Sequence, residues 1–232
     1  WALWRVGQAL ALVLLGGDLG DDPFRFDGVW FLSILKDGYV ITDPSFATHQ
    51  NPAFFPGLVW LTEPLSWAAG DRAAALVIAN VTGLTAFVSV FAAVRVTVSE
   101  QAARGATVVL ALWPTSVVMT AFYSEGLFLT ATALAIWAER SRRPVTATTA
   151  MLAAALTRMI GAAVGPVVAA VRVVRDRRVD GASVVYALTG PVGILVVTWA
   201  QDVQTGNGLA WSDAQAAWGR DVGASGRTLA RL

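Results

Sequence analysis

Three ionisable side chains lie beside apolar or aromatic stretches of the sequence, where a charge is unusual. Asp27 lies among aromatic residues in "RFDGVWFLSILKDGYV" (residues 25–40), Glu125 opens an apolar stretch, and Arg158 separates two others. A carboxylate within hydrogen-bond reach can act as a general base, and an arginine can bind a phosphate. Intramembrane cations are functional hypotheses by default, so Arg158 is the hardest of the three to attribute to solvation.

Each of these residues also has a structural interpretation. Asp27 could be a solvated loop carboxylate, although aromatic residues around it are typical of a membrane interface and can stack on sugar rings. Glu125 could simply favour the N-terminus of a helix. Arg158 could pair with either carboxylate to hold the fold together. The residues alone leave these alternatives open.

Other candidates lie in two further polar segments. His49, the sole histidine, begins "HQNPAFFPG"; one histidine cannot hold a metal, and a structural role is the alternative. Gln215 and Arg220 in "AQAAWGR" (214–220) could contact sugar hydroxyls and phosphate. Trp218 could bind a sugar or anchor the chain at the headgroup level.

Composition indicates a polytopic membrane protein. Of 232 residues, 56% are hydrophobic and 14% are charged, whereas soluble domains carry roughly 25% charged residues. The absence of cysteine excludes disulfides, thiol catalysis and thiolate metal sites. A net charge of +1 without a basic, aromatic-studded surface gives no sign of nucleic-acid binding.

Apolar segments alternate with polar ones along the whole chain, which predicts an all-α fold of about seven spans. The segments are 1–16, 54–69, 73–94, 105–122, 126–138, 145–156, 160–171 and 183–200. Segment 54–69 contains two prolines and a glutamate, and we predict that it lies on the outer membrane surface or only dips into the membrane. Segments 145–156 and 160–171 are each too short to span, and we predict a hairpin whose tip is "TRMIG" (157–161).

Charge bias sets the predicted orientation. Arginines concentrate in "ERSRRP" (139–144) and "RVVRDRRVD" (172–180), which the positive-inside rule places in the cytoplasm. Acidic residues dominate the first loop, so we predict that 17–72 and 201–232 are extracytoplasmic. All the polar motifs then fall on the outer side, which predicts a site facing the outer leaflet of the plasma membrane. Because residue 1 is not Met, the first apolar run is short and the chain stops after a polar loop, we expect one domain, 1–232, truncated at both ends.

Five motifs in order resemble those of the PIG-V mannosyltransferase family, which belongs to the GT-C glycosyltransferases. They are "RFDGVWFLSILKDGYV", "HQNPAFFPG", "FYSEGLF" (122–128), "TRMIG" and "AQAAWGR". The resemblance implies a membrane enzyme that moves mannose from a polyprenyl-phosphate donor, with inversion, at the extracytoplasmic face. The acceptor would be a lipid-linked or envelope glycan, and the source would be a bacterium.

The resemblance also assigns roles to residues. Asp27 would be the catalytic base, and inversion in one step needs no enzyme nucleophile. The substrate-binding candidates are Arg25, Trp30, His49, Tyr123, Glu125, Arg158, Gln215, Trp218 and Arg220. The resemblance assigns no certain cofactor and leaves a divalent metal open, since some GT-C enzymes use one and others do not; the sequence shows no compact carboxylate cluster.

Two other functions compete with this interpretation. A lipid or solute transporter should carry polar residues near the midplane, often in two repeated halves, and no repeat is visible here. A noncatalytic scaffold would have no reason to collect Asp27, Glu125, Arg158 and Gln215 on one side. Donor-dependent sugar transfer would discriminate among the three.

Overall fold

The computed structural model describes residues 2–14, 17 and 21–219, and within these ranges the chain is helical without any strand. The α-helices are α1 (Ala2–Leu14), α2 (Asp27–Asp37), α3 (Gly57–Ala69), α4 (Asp71–Thr97), α5 (Glu100–Leu112), α6 (Glu125–Arg140), α7 (Pro144–Thr157), α8 (Val164–Asp176), α9 (Gly181–Thr205) and α10 (Ala210–Asp213). Short 3₁₀ helices lie at Asp22–Phe24, Asn51–Ala53, Pro114–Met119, Met159–Ala163 and Ala216–Trp218. The all-α prediction is confirmed.

Long antiparallel helices give the molecule two polar ends. At one end, Glu125 at the start of α6 meets Arg158 just after α7. At the other, Glu139 in the last turn of α6 meets Arg172 in α8. We call these the first-loop end and the arginine-rich end. The 16 residues of α6 separate them by about 24 Å, at 1.5 Å per residue.

Two of the described helices, α4 with 27 residues and α9 with 25, are long and apolar enough to cross a bilayer. α7 is apolar but shorter. The predicted count of about seven spans is therefore not confirmed. Segment 105–122, predicted as a span, is not one continuous helix: α5 ends at Leu112 and a 3₁₀ helix follows. Pro114 explains the break, because the residue before a proline is disfavoured in the α conformation and Trp113 is extended (φ −65°, ψ 130°).

The segment predicted not to span forms α3, and both of its ends lie at the first-loop end. Gly57 begins α3 against the backbone of Leu156 at the end of α7. α3 ends one residue before α4, whose Arg72 pairs with Asp21 of the first loop at 2.8 Å. The position of α3 at a membrane surface stays a prediction.

Aromatic packing fixes the first loop onto this bundle. Phe31 of α2 is buried, with its ring centroid 5.2 Å from that of Phe54 and 6.1 Å from that of Phe122. Phe24 and Tyr39 belong to the same buried cluster. Burying a side chain of this size stabilises a fold by roughly 1.5–3 kcal/mol, so these contacts fasten the first loop to the bundle.

Candidate active site

A cleft of about 200 Å³ opens at the first-loop end, where four separate parts of the chain meet. It is lined by residues of the first loop and α2, of the segment before α6, of the break after α7, and of the segment after α10. They are Asp27, Phe31, Ala53, Phe54, Phe55, Ser124, Thr157, Arg158, Met159, Ile160, Gln215 and Trp218. The structure thus brings together parts of all five motifs singled out in the sequence.

Asp27 begins α2 and is half-buried in the cleft wall. Negative charge is favoured there, because the first turn of a helix presents unpaired N–H groups. The preceding residue, Phe26, has a positive φ of 51°, an uncommon conformation for a bulky side chain. Such outliers persist where the surrounding structure enforces them, often at functional sites.

Tyr123 lies close to the same carboxylate. Its hydroxyl donates a hydrogen bond of 2.9 Å to the carbonyl of Arg25. Burial, with smaller effects from the charges of Asp27 and Glu125, raises the pKa of Tyr123 to about 12. The phenol therefore stays protonated at neutral pH and acts as a hydrogen-bond donor. Tyr123 lies beside the cleft and supports its wall.

Arg158 carries the positive charge of the cleft. Its Nη1 forms a salt bridge with Glu125 Oε1 and donates to Ser124 Oγ at 3.4 Å, and its side chain is 35% exposed. Within the described residues, its Nε and Nη2 have no hydrogen-bond partner. The Oε2 atom of Glu125 is buried and also lacks a partner there. The ion pair predicted as one alternative is present, and it leaves two guanidinium nitrogens of Arg158 available to a ligand.

Two glycines allow this arrangement by close backbone contact. A Cβ on Gly161 would lie 1.9 Å from the carbonyl oxygen of Ala154, because the 3₁₀ turn after Arg158 folds directly onto α7. A Cβ on Gly57 would lie 2.8 Å from the carbonyl oxygen of Leu156. No larger residue fits either position without movement of the backbone beside Arg158.

Aromatic rings form the opposite wall. Trp218 stacks on His49 with ring centroids 4.0 Å apart, and it meets Trp30 and Phe54 edge to face. His49 Nε2 lies 3.0 Å from the carbonyl oxygen of Ala217. Gln215 Nε2 donates to Ala53 at 3.0 Å. Trp218, Trp30 and His49 therefore form one aromatic group at the cleft, while His49 has the structural contacts foreseen as its alternative role.

The loop that carries His49 is organised by Asp43. Its carboxylate accepts hydrogen bonds from the backbone and hydroxyl groups of Ser45 and Thr48. These bonds, the Ser45 hydroxyl first, lower the pKa of Asp43 to about 2. The carboxylate is therefore charged at physiological pH and keeps the loop closed.

Of the predicted residues, Asp27, Arg158, Gln215 and Trp218 line the cleft. Trp30, His49 and Glu125 contact lining residues without lining it themselves, and Tyr123 lies beside Asp27. Arg25 does not join the cleft. Arg25 pairs with Asp22 at 3.0 Å, its side chain is 69% exposed, and it is absent from the cleft lining. Only its carbonyl oxygen, which accepts from Tyr123, supports the site. Arg220 lies outside the described residues.

Sequence reasoning missed several residues that shape the cleft. Ser124 is buried beside Arg158, and its place within "FYSEG" was the available signal. Gln201 of α9 is fully buried and donates to the carbonyl oxygen of Pro52 at 2.8 Å, while Gln204 accepts from the backbone N–H of Tyr39. These two glutamines fasten α9 to the first loop, and no local sequence pattern indicates such distant contacts.

No group of three or more His, Cys, Asp or Glu side chains suited to a metal ion occurs within residues 2–14 and 21–219. The described cleft offers one carboxylate, one guanidinium and polar neutral groups. These groups suit a sugar phosphate: the guanidinium can bind phosphate, and the aromatic wall can stack on a sugar ring.

Comparison with known families agrees with this chemistry. The model of the mannosyltransferase (PIG-V) family matches residues 15–173, more than half of the chain. No curated protein and no solved structure matches the chain. The matched region contains Asp27, Tyr123, Glu125 and Arg158, and a membrane-embedded family accounts for the apolar composition. The chain therefore belongs to the PIG-V mannosyltransferase family and is a membrane glycosyltransferase.

Proposed function

We propose that this mannosyltransferase takes mannose from a polyprenyl-phosphate donor and transfers it, with inversion, to a lipid-linked or envelope glycan. The observation that carries the proposal is the placement of the Asp27 carboxylate and the Arg158 guanidinium in one cleft. A base and a phosphate ligand facing the same small volume are the two groups that such a displacement requires. Family membership supports an enzyme and gives no support to the transporter alternative.

The proposed step is a single displacement. The acceptor oxygen bonds to the anomeric carbon while the bond from that carbon to the phosphate oxygen breaks. The acceptor proton passes to Asp27, and the electron pair of the broken bond leaves with the polyprenyl phosphate. Arg158 stabilises the charge that develops on this phosphate through the donors that Glu125 does not occupy.

The remaining contacts position the sugar. Trp218 and Trp30 provide apolar ring faces next to His49, and sugar rings present C–H faces that pack on such surfaces. Gln215 lines the cleft and can hydrogen-bond sugar hydroxyls. The break between α7 and α8 supplies Met159 and Ile160, both exposed, as an apolar border suited to the start of the lipid chain.

Replacement of the proposed base tests the mechanism. Asp27→Asn keeps the size of the side chain but removes its basicity, and general-base assistance is worth on the order of 10²–10⁴ in rate. Transfer from a polyprenyl-phosphate mannose donor, measured in membranes with matched protein levels, should fall at least a hundredfold by that estimate. Donor affinity should persist because Arg158 is unchanged.

Asp37→Asn is the matched control, because Asp37 ends the same helix, is exposed, and lies outside the cleft. It should keep transfer within a few-fold of the unmodified enzyme. Asp27→Asn with near-normal turnover would reduce this residue to a solvated helix start and remove the proposed base.

We also propose that the site faces the extracytoplasmic side of the plasma membrane, on the basis of the acidic first loop and the arginine-rich opposite end. The sequence contains no cysteine, so single cysteines can be introduced without background. A membrane-impermeant maleimide applied to intact cells should label Asp43→Cys and leave Arg142→Cys unlabelled. Labelling at position 142 alone would show the opposite orientation.

A further inference from the structure

A second, larger cleft of about 560 Å³ lies at the arginine-rich end, far from the proposed active site. It opens where α6 and α8 end and where α7 and α9 begin. Its lining includes five arginines and two acidic residues, with Val96, Pro144, Ala182 and Tyr186. The proposed catalytic mechanism uses none of these side chains, so a function of this cleft would be separate from catalysis.

Glu139 organises the floor of this cleft. It is only 6% exposed, and it accepts hydrogen bonds from Arg172 at 3.1 Å and from Arg175 at 2.8 Å. Arg172 also forms a two-pronged pair with Asp180, at 2.6 and 3.1 Å, which ties α8 to the N-terminal cap of α9. Arg172 and Arg175 are thereby held in fixed orientations by carboxylates, and their role is structural.

Three further arginines, Arg140, Arg142 and Arg178, line the same cleft and are exposed. None of them forms a salt bridge within the described part of the chain. Arginines that only fix the orientation of a membrane protein need not lie near one another. These three side chains instead border one concave space. Arg177, adjacent in sequence, does not line it. Like charges gathered in this way favour a multiply coordinated anion.

The position of the cleft relative to the long apolar helices indicates the kind of anion. Val96 lies at the end of α4 and Ala182 in the first turn of α9, the two helices long enough to cross a bilayer. At the same end Arg143 lies 5.0 Å from the ring centroid of Trp137, and aromatic residues concentrate at membrane interfaces. The cleft therefore lies at the ends of the two helices that are suited to cross a bilayer, where headgroups would meet it.

We propose that this cleft binds the phosphate headgroup of an anionic membrane lipid, with Arg140, Arg142 and Arg178 as ligands. The ion-pair network around Glu139 forms its rigid floor, and the apolar side chains of Val96 and Ala182 border the acyl side. The proposal does not depend on the catalytic role of Asp27 or on which side of the membrane the active site faces.

The test uses the full chain in detergent and short-chain phosphatidylglycerol, with short-chain phosphatidylcholine and inorganic phosphate as comparison ligands. Each basic residue near a lipid surface contributes about fivefold in affinity, so the triple variant Arg140→Gln/Arg142→Gln/Arg178→Gln should bind phosphatidylglycerol on the order of a hundredfold more weakly. The control is Arg95→Gln/Arg104→Gln/Arg177→Gln, which removes three charges outside the cleft and should stay within about threefold.

Three results would overturn the proposal: equal loss of affinity in both triple variants, no preference for phosphatidylglycerol over phosphatidylcholine, or inorganic phosphate binding as tightly as the lipid. The last result would identify a soluble anion as the ligand. If the triple variant fails to fold, each single substitution should weaken lipid binding about fivefold, and unchanged affinity in all three would equally refute the site.

Discussion

Replacement of Arg158 by lysine separates the two roles that this residue could have. In the structure Nη1 alone contacts Glu125 and Ser124, while Nε and Nη2 have no partner in the described residues. A lysine has a single nitrogen, which can keep the ion pair with Glu125 but cannot also present the planar fork that binds phosphate in two places. Arg158→Lys therefore removes the proposed phosphate contact and preserves the internal salt bridge.

The size of the effect follows from the bonds that are lost. A hydrogen bond to a charged group contributes about 1.5–3 kcal/mol, which corresponds to roughly a 10- to 150-fold change. One such bond to phosphate lost in the transition state should lower kcat/KM for the donor by that factor. The thermal unfolding temperature should change little, because Glu125, whose side chain is 27% exposed, keeps a cationic partner.

The assay is mannose transfer from a short-chain polyprenyl-phosphate mannose to an acceptor extract, with donor concentration varied and unfolding followed in parallel. Arg72→Lys is the matched control: Arg72 lies at the same end of the molecule, pairs with Asp21, and is 61% exposed outside the cleft. It should change neither kcat/KM nor stability. Arg158→Gln should lose both activity and stability, since it leaves a partly buried carboxylate unpaired.

A specific result would refute this reasoning. If Arg158→Lys retains the kcat/KM of the unmodified enzyme while Arg158→Gln fails to fold, the guanidinium serves only as the partner of Glu125. The double variant Glu125→Gln/Arg158→Gln then distinguishes the cases further. Recovery of both folding and transfer in that variant would exclude phosphate binding by Arg158.

Two further predictions concern the walls of the cleft. Gly161→Ala should lower the free energy of unfolding by about 1–3 kcal/mol and reduce transfer, because its Cβ would overlap the Ala154 carbonyl oxygen and displace Arg158. The control is Gly181→Ala, whose added Cβ has no atom within 4 Å. This variant should leave the free energy of unfolding and the transfer rate nearly unchanged. Trp218→Phe keeps an aromatic ring beside His49 but removes the indole N–H, which is buried without a partner in the described residues. If that N–H binds substrate, KM for the donor should rise by about tenfold. An unchanged KM would assign Trp218 to packing alone.

The fold could be predicted from the sequence where the signal is local. Apolar runs predicted helices, and the start of α6 at Glu125 and the break around Arg158 follow from polar residues that interrupt those runs. The interruption of segment 105–122 was not predicted, because a sum of hydropathy ignores the restriction that a proline at 114 places on the backbone of Trp113. Segment length alone also could not show that, among the described helices, α4 and α9 combine sufficient length with sufficient apolarity.

That the five motifs meet was predictable from the sequence, whereas the set of residues that line the cleft was predictable only in part and their contacts were not. The five motifs meet because each lies near an end of a helix at the same end of the bundle, and helix order alone places them there. The partner of each side chain was not predictable. Arg25 pairs with Asp22, and Gln201 donates to the carbonyl oxygen of Pro52, 149 positions away along the chain. Such contacts depend on how whole helices pack, which local residue patterns do not specify.

Each end of α6 carries a glutamate paired with arginine, and the two ion pairs have different roles. Glu139 is 6% exposed, and both of its oxygens accept hydrogen bonds from arginines, so its charge is fully compensated inside the protein. Glu125 also holds an arginine, but its Oε2 is buried without a partner in the described structure, and its arginine keeps unused donors. Buried polar atoms left unsatisfied are costly. Glu139 therefore secures the bundle, whereas the arginine held by Glu125 lines the cleft and keeps donors for the phosphate of the proposed sugar donor.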